Sequence, residues 1–248
     1  MDIPLKSDQE IATMRLGGRK LASVMAQLLE KTKPGVTTAE LDQTADRLIK
    51  KAGGKPSFKM VKNYHWATCI NINDGVVHGI PNDYRIKPDD LVSLDVGIYY
   101  QGFHTDMAWS VYLGNNPDKR QFLRSGETTL NRAIAAARPG SRLGSISKAI
   151  ESSLRKTGLN PVVELTGHGV GRSLHEEPMI PGWLKRKISS TPLLQPGMVL
   201  AIEIIYTQGQ PRISLSSDGW TFTTHDHSLA GLFEKTIAVT PTGPLLIT

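Results

Sequence analysis

Between positions 11 and 28 the apolar residues Ile11, Met14, Leu21, Val24, Met25 and Leu28 recur at helical spacing, so one face of a helix carries them all. Pro34-Gly35 stops that helix. Thr37 followed by Glu40 is a capping box in which each side chain satisfies a backbone N–H that the first turn leaves free, and it opens a second helix whose apolar face is Leu41, Ala45, Leu48 and Ile49. Past Gly53-Gly54 the period shortens to that of strands. Residues 69–73, 91–99 and 103–113 read as β-strands, the last two joined by a tight turn near Gly102.

The second half repeats this plan. Pro139-Gly140 stands 105 positions after Pro34-Gly35, and the same shift lays Ile146 on Leu41, Ile150 on Ala45 and Leu154 on Ile49. Pro88 and Pro196 each precede, by seven residues, a carboxylate inside an apolar strand: Asp95 and Glu203. Both strands then reach Gln-Gly, at Gln101-Gly102 and Gln208-Gly209. The expectation is a single catalytic domain over residues 1–248, made of pseudo-repeats at about 10–113 and 125–240 whose pseudo-two-fold axis brings Asp95 and Glu203 together.

Composition narrows the class. A chain of 248 residues with 39% hydrophobic and 21% charged content can bury one sizeable core. No apolar run reaches the roughly 20 residues of a membrane span, and residues 1–10 have neither a basic start nor an apolar signal segment, so the expected location is the cytoplasm. Cys69 is the one cysteine, which excludes an internal disulfide and a thiolate metal cluster. The net charge of +6 favours polyanions such as ribosomal RNA, but basic residues are scattered among acidic ones. The densest cluster, Lys185, Arg186 and Lys187, is shorter than the roughly 5–6 charges of an interaction tail and reads as a solvated loop, without specific nucleic-acid binding.

The candidate chemistry is acidic. If Tyr100 and Gln101 are the central residues of a two-residue hairpin turn, facing residues have numbers that sum to 201, and Asp95 faces Asp106. Like charges directly opposite in a sheet destabilise it, by roughly 3 kcal/mol at ~5 Å and an effective dielectric near 20. Either a shared proton or cations must offset that. Glu203 lies in the apolar run 198–205, and Glu234 follows Leu232-Phe233 at the start of another strand; a mid-strand Glu in such company calls for a partner. Four carboxylates balance two divalent cations. His168, within a glycine-rich segment, completes an N/O ligand set that suits manganese, iron, cobalt or zinc. Two such ions roughly 3.5–4 Å apart can hold a hydroxide near neutral pH and polarise a peptide carbonyl.

Five segments carry a resemblance. They are Val77-His78-Gly79-Ile80-Pro81; Ser93-Leu94-Asp95-Val96-Gly97 with Gly102-Phe103-His104-Thr105-Asp106; Gly167-His168-Gly169-Val170-Gly171-Arg172-Ser173-Leu174-His175-Glu176-Glu177-Pro178; Gly197-Met198-Val199-Leu200-Ala201-Ile202-Glu203; and Phe233-Glu234-Lys235-Thr236. In this order, over nearly the whole chain, they resemble the type I methionine aminopeptidases of peptidase family M24. The resemblance implies the duplicated α/β "pita-bread" fold around a central curved antiparallel sheet. It also implies removal of the initiator methionine from nascent polypeptide N-termini when the second residue is small, by hydroxide attack between two metals, in a monomer that touches the ribosome transiently. Asp95 would serve one metal, Asp106 and Glu234 would bridge the pair, and His168 and Glu203 would serve the other. Glu203 would also shuttle protons. His175 would reach the scissile carbonyl and His78 the adjoining amide. Tyr64, Cys69 and Trp220 would wall the substrate pocket.

The chain departs from that pattern at Lys235, where His is usual, and at Ile204, where Pro is common. Leu174 replaces a common Phe, and Val61 a common aromatic. Lys235 is expected to alter the surroundings of the metals. The Xaa-Pro peptidases of the same fold usually carry a separate amino-terminal domain, for which this chain leaves no room. A non-catalytic binding module would typically have lost metal ligands. His225-Asp226-His227 has a metal triplet's composition but falls where a polar turn is expected. His65 and His104 show no partner by spacing and read as ordinary polar residues. Without a Cys-His pattern, Cys69 reads as pocket wall rather than nucleophile. The glycines of 167–171 lack the lysine and spacing of a phosphate loop.

Overall fold

A computed structural model describes residues 3–248. Met1 and Asp2, which open the stretch read above as carrying no signal segment, lie outside the described residues. Helix α1 spans Asp8–Lys31 and α2 spans Thr38–Lys51, both opened by capping boxes, Ser7 with Glu10 and Thr37 with Glu40. Three short strands follow, β1 (Lys55–Pro56), β2 (Thr68–Ile72) and β3 (Gly75–Val77), and then a long hairpin of β4 (Leu91–Tyr100) and β5 (Phe103–Tyr112). The second half begins with α3 (Pro117–Ala136) and α4 (Leu143–Arg155). Its strands are β6 (Asn160–Pro161), β7 (Thr166–Gly169), β8 (Glu176–Pro181), β9 (Val199–Thr207), β10 (Ile213–Leu215), β11 (Phe222–Thr224), β12 (Ala230–Thr240) and β13 (Gly243–Leu246).

The main sheet is antiparallel throughout and runs β1-β4-β5-β12-β9-β7-β8, with β2 also on β4, β6 on β9 and β13 on β12; β10-β11-β3 form a second, small sheet. Alternation decides what each face of the main sheet meets. In β4, Val92, Leu94, Val96 and Ile98 pack with Leu21, Val24, Met25 and Leu28 of α1 and with Leu41, Ala45 and Ile49 of α2. In β9, Leu200, Ile202, Ile204 and Tyr206 pack with Leu130 and Ala133 of α3 and Ile146, Ile150 and Leu154 of α4. Helices therefore cover one face, and the residues between, Asp95 and Glu203 among them, project from the other. No helix among the described residues is long and apolar enough to cross a membrane.

The β4–β5 turn differs from the sequence expectation. Its central residues are Gln101 and Gly102, with φ of 48° and 92°, not Tyr100 and Gln101. A two-residue hairpin of this type, with positive φ at both central positions, matches the strand twist, and the glycine settles which pair supplies them. Facing residues accordingly sum to 203: Asp95 pairs with Ala108 and Asp106 with Gly97. Because Asp95's partner moves by two residues rather than one, both acids keep the same face.

Candidate metal centre and substrate pocket

Strand register assembles the acids. Across five strands one row of cross-strand partners reads Cys69, Asp95, Ala108, Glu234, Glu203. The next row on that face holds Gly97 opposite Asp106, and Thr236 opposite Ala201, which in turn faces His168. Asp95 and Asp106 are thus diagonal neighbours rather than an opposed pair. The directly opposed like-charge pair is Glu203 with Glu234. Sequence spacing could place an opposed pair only within a hairpin; this one joins strands whose numbers give no hint of pairing.

One ligand atom from each of Asp106, His168 and Glu234 lies within 4.8 Å of the others. Glu203 Oε1 stands 3.4 Å from His168 Nε2. The other ring nitrogen, Nδ1, donates to the Gly169 carbonyl at 2.8 Å, so Nε2 carries the lone pair and faces the acids. Burial pushes the His168 pKa down to about 4, keeping the ring neutral and able to ligate. Burial pushes the acids the opposite way. Asp106 rises to about 7, and Asp95, Glu203 and Glu234 rise well above the carboxylate range, first through desolvation and then through one another's charge.

Two oxygens test whether cations fit here. Asp95 Oδ1 and Glu234 Oε1 are buried with no hydrogen-bond partner, which native structures rarely leave uncompensated. Carboxylate oxygens accept only, and the His168 lone pair beside Glu203 adds another acceptor. A centre built of acceptors without donors fits divalent metal ions.

Two histidines stand at the rim. His78 adopts φ of 59°, a left-handed backbone uncommon for a residue with a side chain and found preferentially at functional sites. Burial and then the charge of His175 lower its pKa. The His175 ring meets the His168 ring edge-on at 4.4 Å, and burial lowers its pKa as well.

All ten residues singled out in the sequence line one cavity of about 130 Å³, together with Phe58, Val61, Val77 and Leu174. Its apolar end is built around Tyr64, whose ring meets Trp220 at 5.0 Å and Phe58 at 6.5 Å in edge-to-face contacts. The Tyr64 hydroxyl donates to the Thr68 carbonyl at 2.9 Å and stands 3.2 Å from Cys69 Sγ. Burial, then the charge of Asp95, pushes the Cys69 thiol well above its ordinary value, so it stays protonated as a wall atom.

Phe58 and Val77 escaped the sequence reading. Val77 had a signal, its place beside His78, whereas Phe58 had none. His104, read as an ordinary polar residue, is in fact buried, with Nδ1 2.9 Å from Ser57 Oγ, a partner 47 positions away that spacing does not reveal. Lys235 also departs from expectation. It alternates with Glu234 and so leaves on the helix-covered face, where Nζ donates to the Thr248 carbonyl at 3.1 Å and lies 5.7 Å from the Trp109 ring centre.

A helix-backed antiparallel sheet whose open face gathers acids and one neutral histidine defines a metal-dependent hydrolase, and the family model of Metallopeptidase family M24 matches residues 12–241. The chain belongs to that family. Within it, the chain is 40% identical over 239 residues to methionine aminopeptidase 1 of Bacillus subtilis (strain 168), covering 96% of each. It is 38% identical over 247 residues to the methionine aminopeptidase of Clostridium perfringens, covering 99% of this chain and 98% of that one. Among solved structures, the methionine aminopeptidase of Thermotoga maritima matches with a TM-score of 0.96 and 35% identity, covering 100% of this chain and 99% of that one. A prolidase from Pyrococcus furiosus, 23% identical with a TM-score of 0.79, covers 98% of this chain and 65% of that one and shares the fold.

Proposed function

We propose that the protein is a metal-dependent aminopeptidase that removes the amino-terminal methionine of nascent polypeptides when the second residue is small. The observation that carries this reading is the meeting of four carboxylates, Asp106 and Glu234 buried and Asp95 and Glu203 half-buried, with the His168 lone pair in one cavity of about 130 Å³ whose other end is apolar. A cavity of 150 Å³ accommodates a benzene-sized group, so this one suits a single side chain. An unbranched, flexible thioether fits such a slot among the rings of Phe58, Tyr64 and Trp220.

In this reading Asp95, Asp106, His168, Glu203 and Glu234 would hold two divalent ions, chosen among cobalt, manganese, iron and zinc, with Asp106 and Glu234 as the candidates to serve both. When bound, such ions supply Lewis acidity, drawing electron density from a carbonyl and making water acidic enough to attack near neutral pH. Glu203 accepts a proton from the attacking water at a carboxylate oxygen and passes it to the departing amine. His175 donates to the scissile carbonyl oxygen as negative charge grows there, and His78 holds the adjoining amide. Tyr64, Cys69 and Trp220 exclude water from the methionine side chain. Residues 1–248 act as one catalytic unit with halves at about 10–113 and 125–240, working as a cytoplasmic monomer that meets nascent chains and touches the ribosome transiently.

The test is cleavage of Met-Ala-Ser and Met-Gly peptides by protein reconstituted with each of the four ions in turn, with Ala-Pro peptides in competition. Release of methionine is expected, with the Ala-Pro peptides left intact. No cleavage under any ion, or preferential cleavage of Ala-Pro, defeats the reading.

A further inference from the structure

The His175 ring is hydrogen-bonded to no described residue; its place follows from the His168 contact and from the backbone that carries it. That backbone, residues 171–175, is a series of bends between β7 and β8 without a strand ladder of its own. It closes on itself through Gly171 N–H to the Ser173 carbonyl at 3.0 Å and Ser173 N–H to Glu176 Oε1 at 3.0 Å. The other oxygen of Glu176 receives the ammonium of Lys6, which comes from the segment ahead of α1, 170 positions away in sequence. Both side chains are buried, at 1% and 8% exposure, which makes this the most enclosed Lys or Arg ion pair among the described residues.

The surroundings are shaped for the lysine. A Cβ on Gly171 would collide with Lys6 Cε, and a Cβ on Gly197 would lie 2.9 Å from the Lys6 carbonyl oxygen. Lys6 N–H donates to the Gly197 carbonyl at 2.8 Å, and its Nζ donates also to the Pro4 carbonyl at 3.2 Å. A second tie runs in parallel, from Glu10 in the first turn of α1 to Arg172 of the same loop. The amino-terminal segment is thus a strap across the loop that presents Leu174 to the pocket and His175 to the reacting centre.

We propose that Lys6 is a positioning residue for His175: through Glu176 it fixes the 171–175 loop, and so the placement of the imidazole over the metal centre. This rests on the reading of His175 as the donor to the scissile carbonyl. Displacing a reacting group by about 1 Å from a remote site can cost ~10²-fold in rate, so a small loop shift suffices.

A double-mutant cycle on the metal-reconstituted enzyme tests it, with kcat and KM for Met-Ala-Ser, melting temperature and metal content read for each variant. Lys6→Met should lower kcat by roughly 10- to 100-fold while KM and metal content change less than about 3-fold, and Lys6→Arg should recover most of the loss. In a His175→Ala background, Lys6→Met should cost less than about 2-fold more, because the group it positions is gone. The double variant Lys6→Met/Glu176→Met removes both charges and should regain thermal stability while kcat stays low.

Full additivity in the His175→Ala background, kcat recovering with melting temperature in the double apolar variant, or normal kcat in Lys6→Met would each overturn the inference. His175→Ala alone separates this from failure of the functional reading. If that variant turns over normally, the assigned role of His175 falls; if it is slow while Lys6→Met is normal, only the strap falls.

Discussion

The floor of the site and its apolar wall obey opposite rules. On the floor, strand register forces Glu203 opposite Glu234 and sets Asp106 diagonal to Asp95, leaving buried oxygens of Asp95 and Glu234 without partners. In the wall, Tyr64 has its hydroxyl satisfied and its ring packed at ordinary edge-to-face distances, as in any protein core. The floor is destabilised in isolation and the wall is comfortable. Uncompensated buried charge therefore marks the chemistry, whereas the wall is distinguished from a core only by the cavity it leaves. The difference also says where substitution is tolerated: a wall residue can be exchanged for another apolar one, while a floor residue answers to charge.

The largest expected effect breaks the floor. Asp106→Asn removes a charge shared by the candidate metals, and peptide turnover should fall by at least the ~10²–10³-fold seen when one preorganised charge-stabilising group is lost. Metal content by elemental analysis should fall with it. Undiminished metal content would assign the ions to other residues.

The same contrast predicts a pH dependence confined to the metal-free protein. Burial raises Asp106 from 3.8 to about 7, so folding takes up a proton between those values. A carboxyl group with a higher pKa in the folded state stabilises fully below its unfolded pKa, and that contribution is lost as pH rises through the folded value. Chelated protein should melt at progressively lower temperature from about pH 4 to 7, whereas a divalent ion at ~100 times its Kd should add about 2.7 kcal/mol at neutral pH. Thermal melts with and without chelator, repeated on Asp106→Asn, measure both. The variant should lose only the share of the metal-free slope that Asp106 contributes, because Asp95, Glu203 and Glu234 are raised as well.

A smaller effect is expected from the wall. Trp220→Ala opens one side of the cavity and should lower kcat/KM for Met-Ala-Ser by roughly 10-fold, the scale of one buried apolar contact, while leaving bound metal unchanged. Steady-state kinetics paired with metal analysis would show floor and wall to be separable. Loss of metal in this variant would show that they are not. The smallest effect belongs to Lys235→His. Since Lys235 leaves the opposite face of β12 from Glu234, kcat and metal preference should shift by less than about 3-fold, as for a substitution remote from the site. A larger shift in the ranking of manganese, iron, cobalt and zinc would tie that face to the floor.

Local sequence determined a good part of this protein. The capping boxes, the helix faces and the apolar strands with single embedded acids depend on spacing within a few residues; Glu203 and Glu234 stand out because an acid is costly in such company, whereas hairpin spacing pairs Asp95 with Asp106 and His168 joins them through its glycine-rich segment and the order of the family motifs. Tertiary structure decided the rest. The β4–β5 register turned on which two residues accept positive φ, Glu203 met Glu234 because β9 and β12 are neighbours, and His104 found Ser57 across 47 positions. The tie from Lys6 to the loop of His175 spans 170 positions, and no periodicity or motif encodes such a contact. Spacing along a chain reports which face a residue takes; only the closing of strands and loops on one another selects the group it meets there.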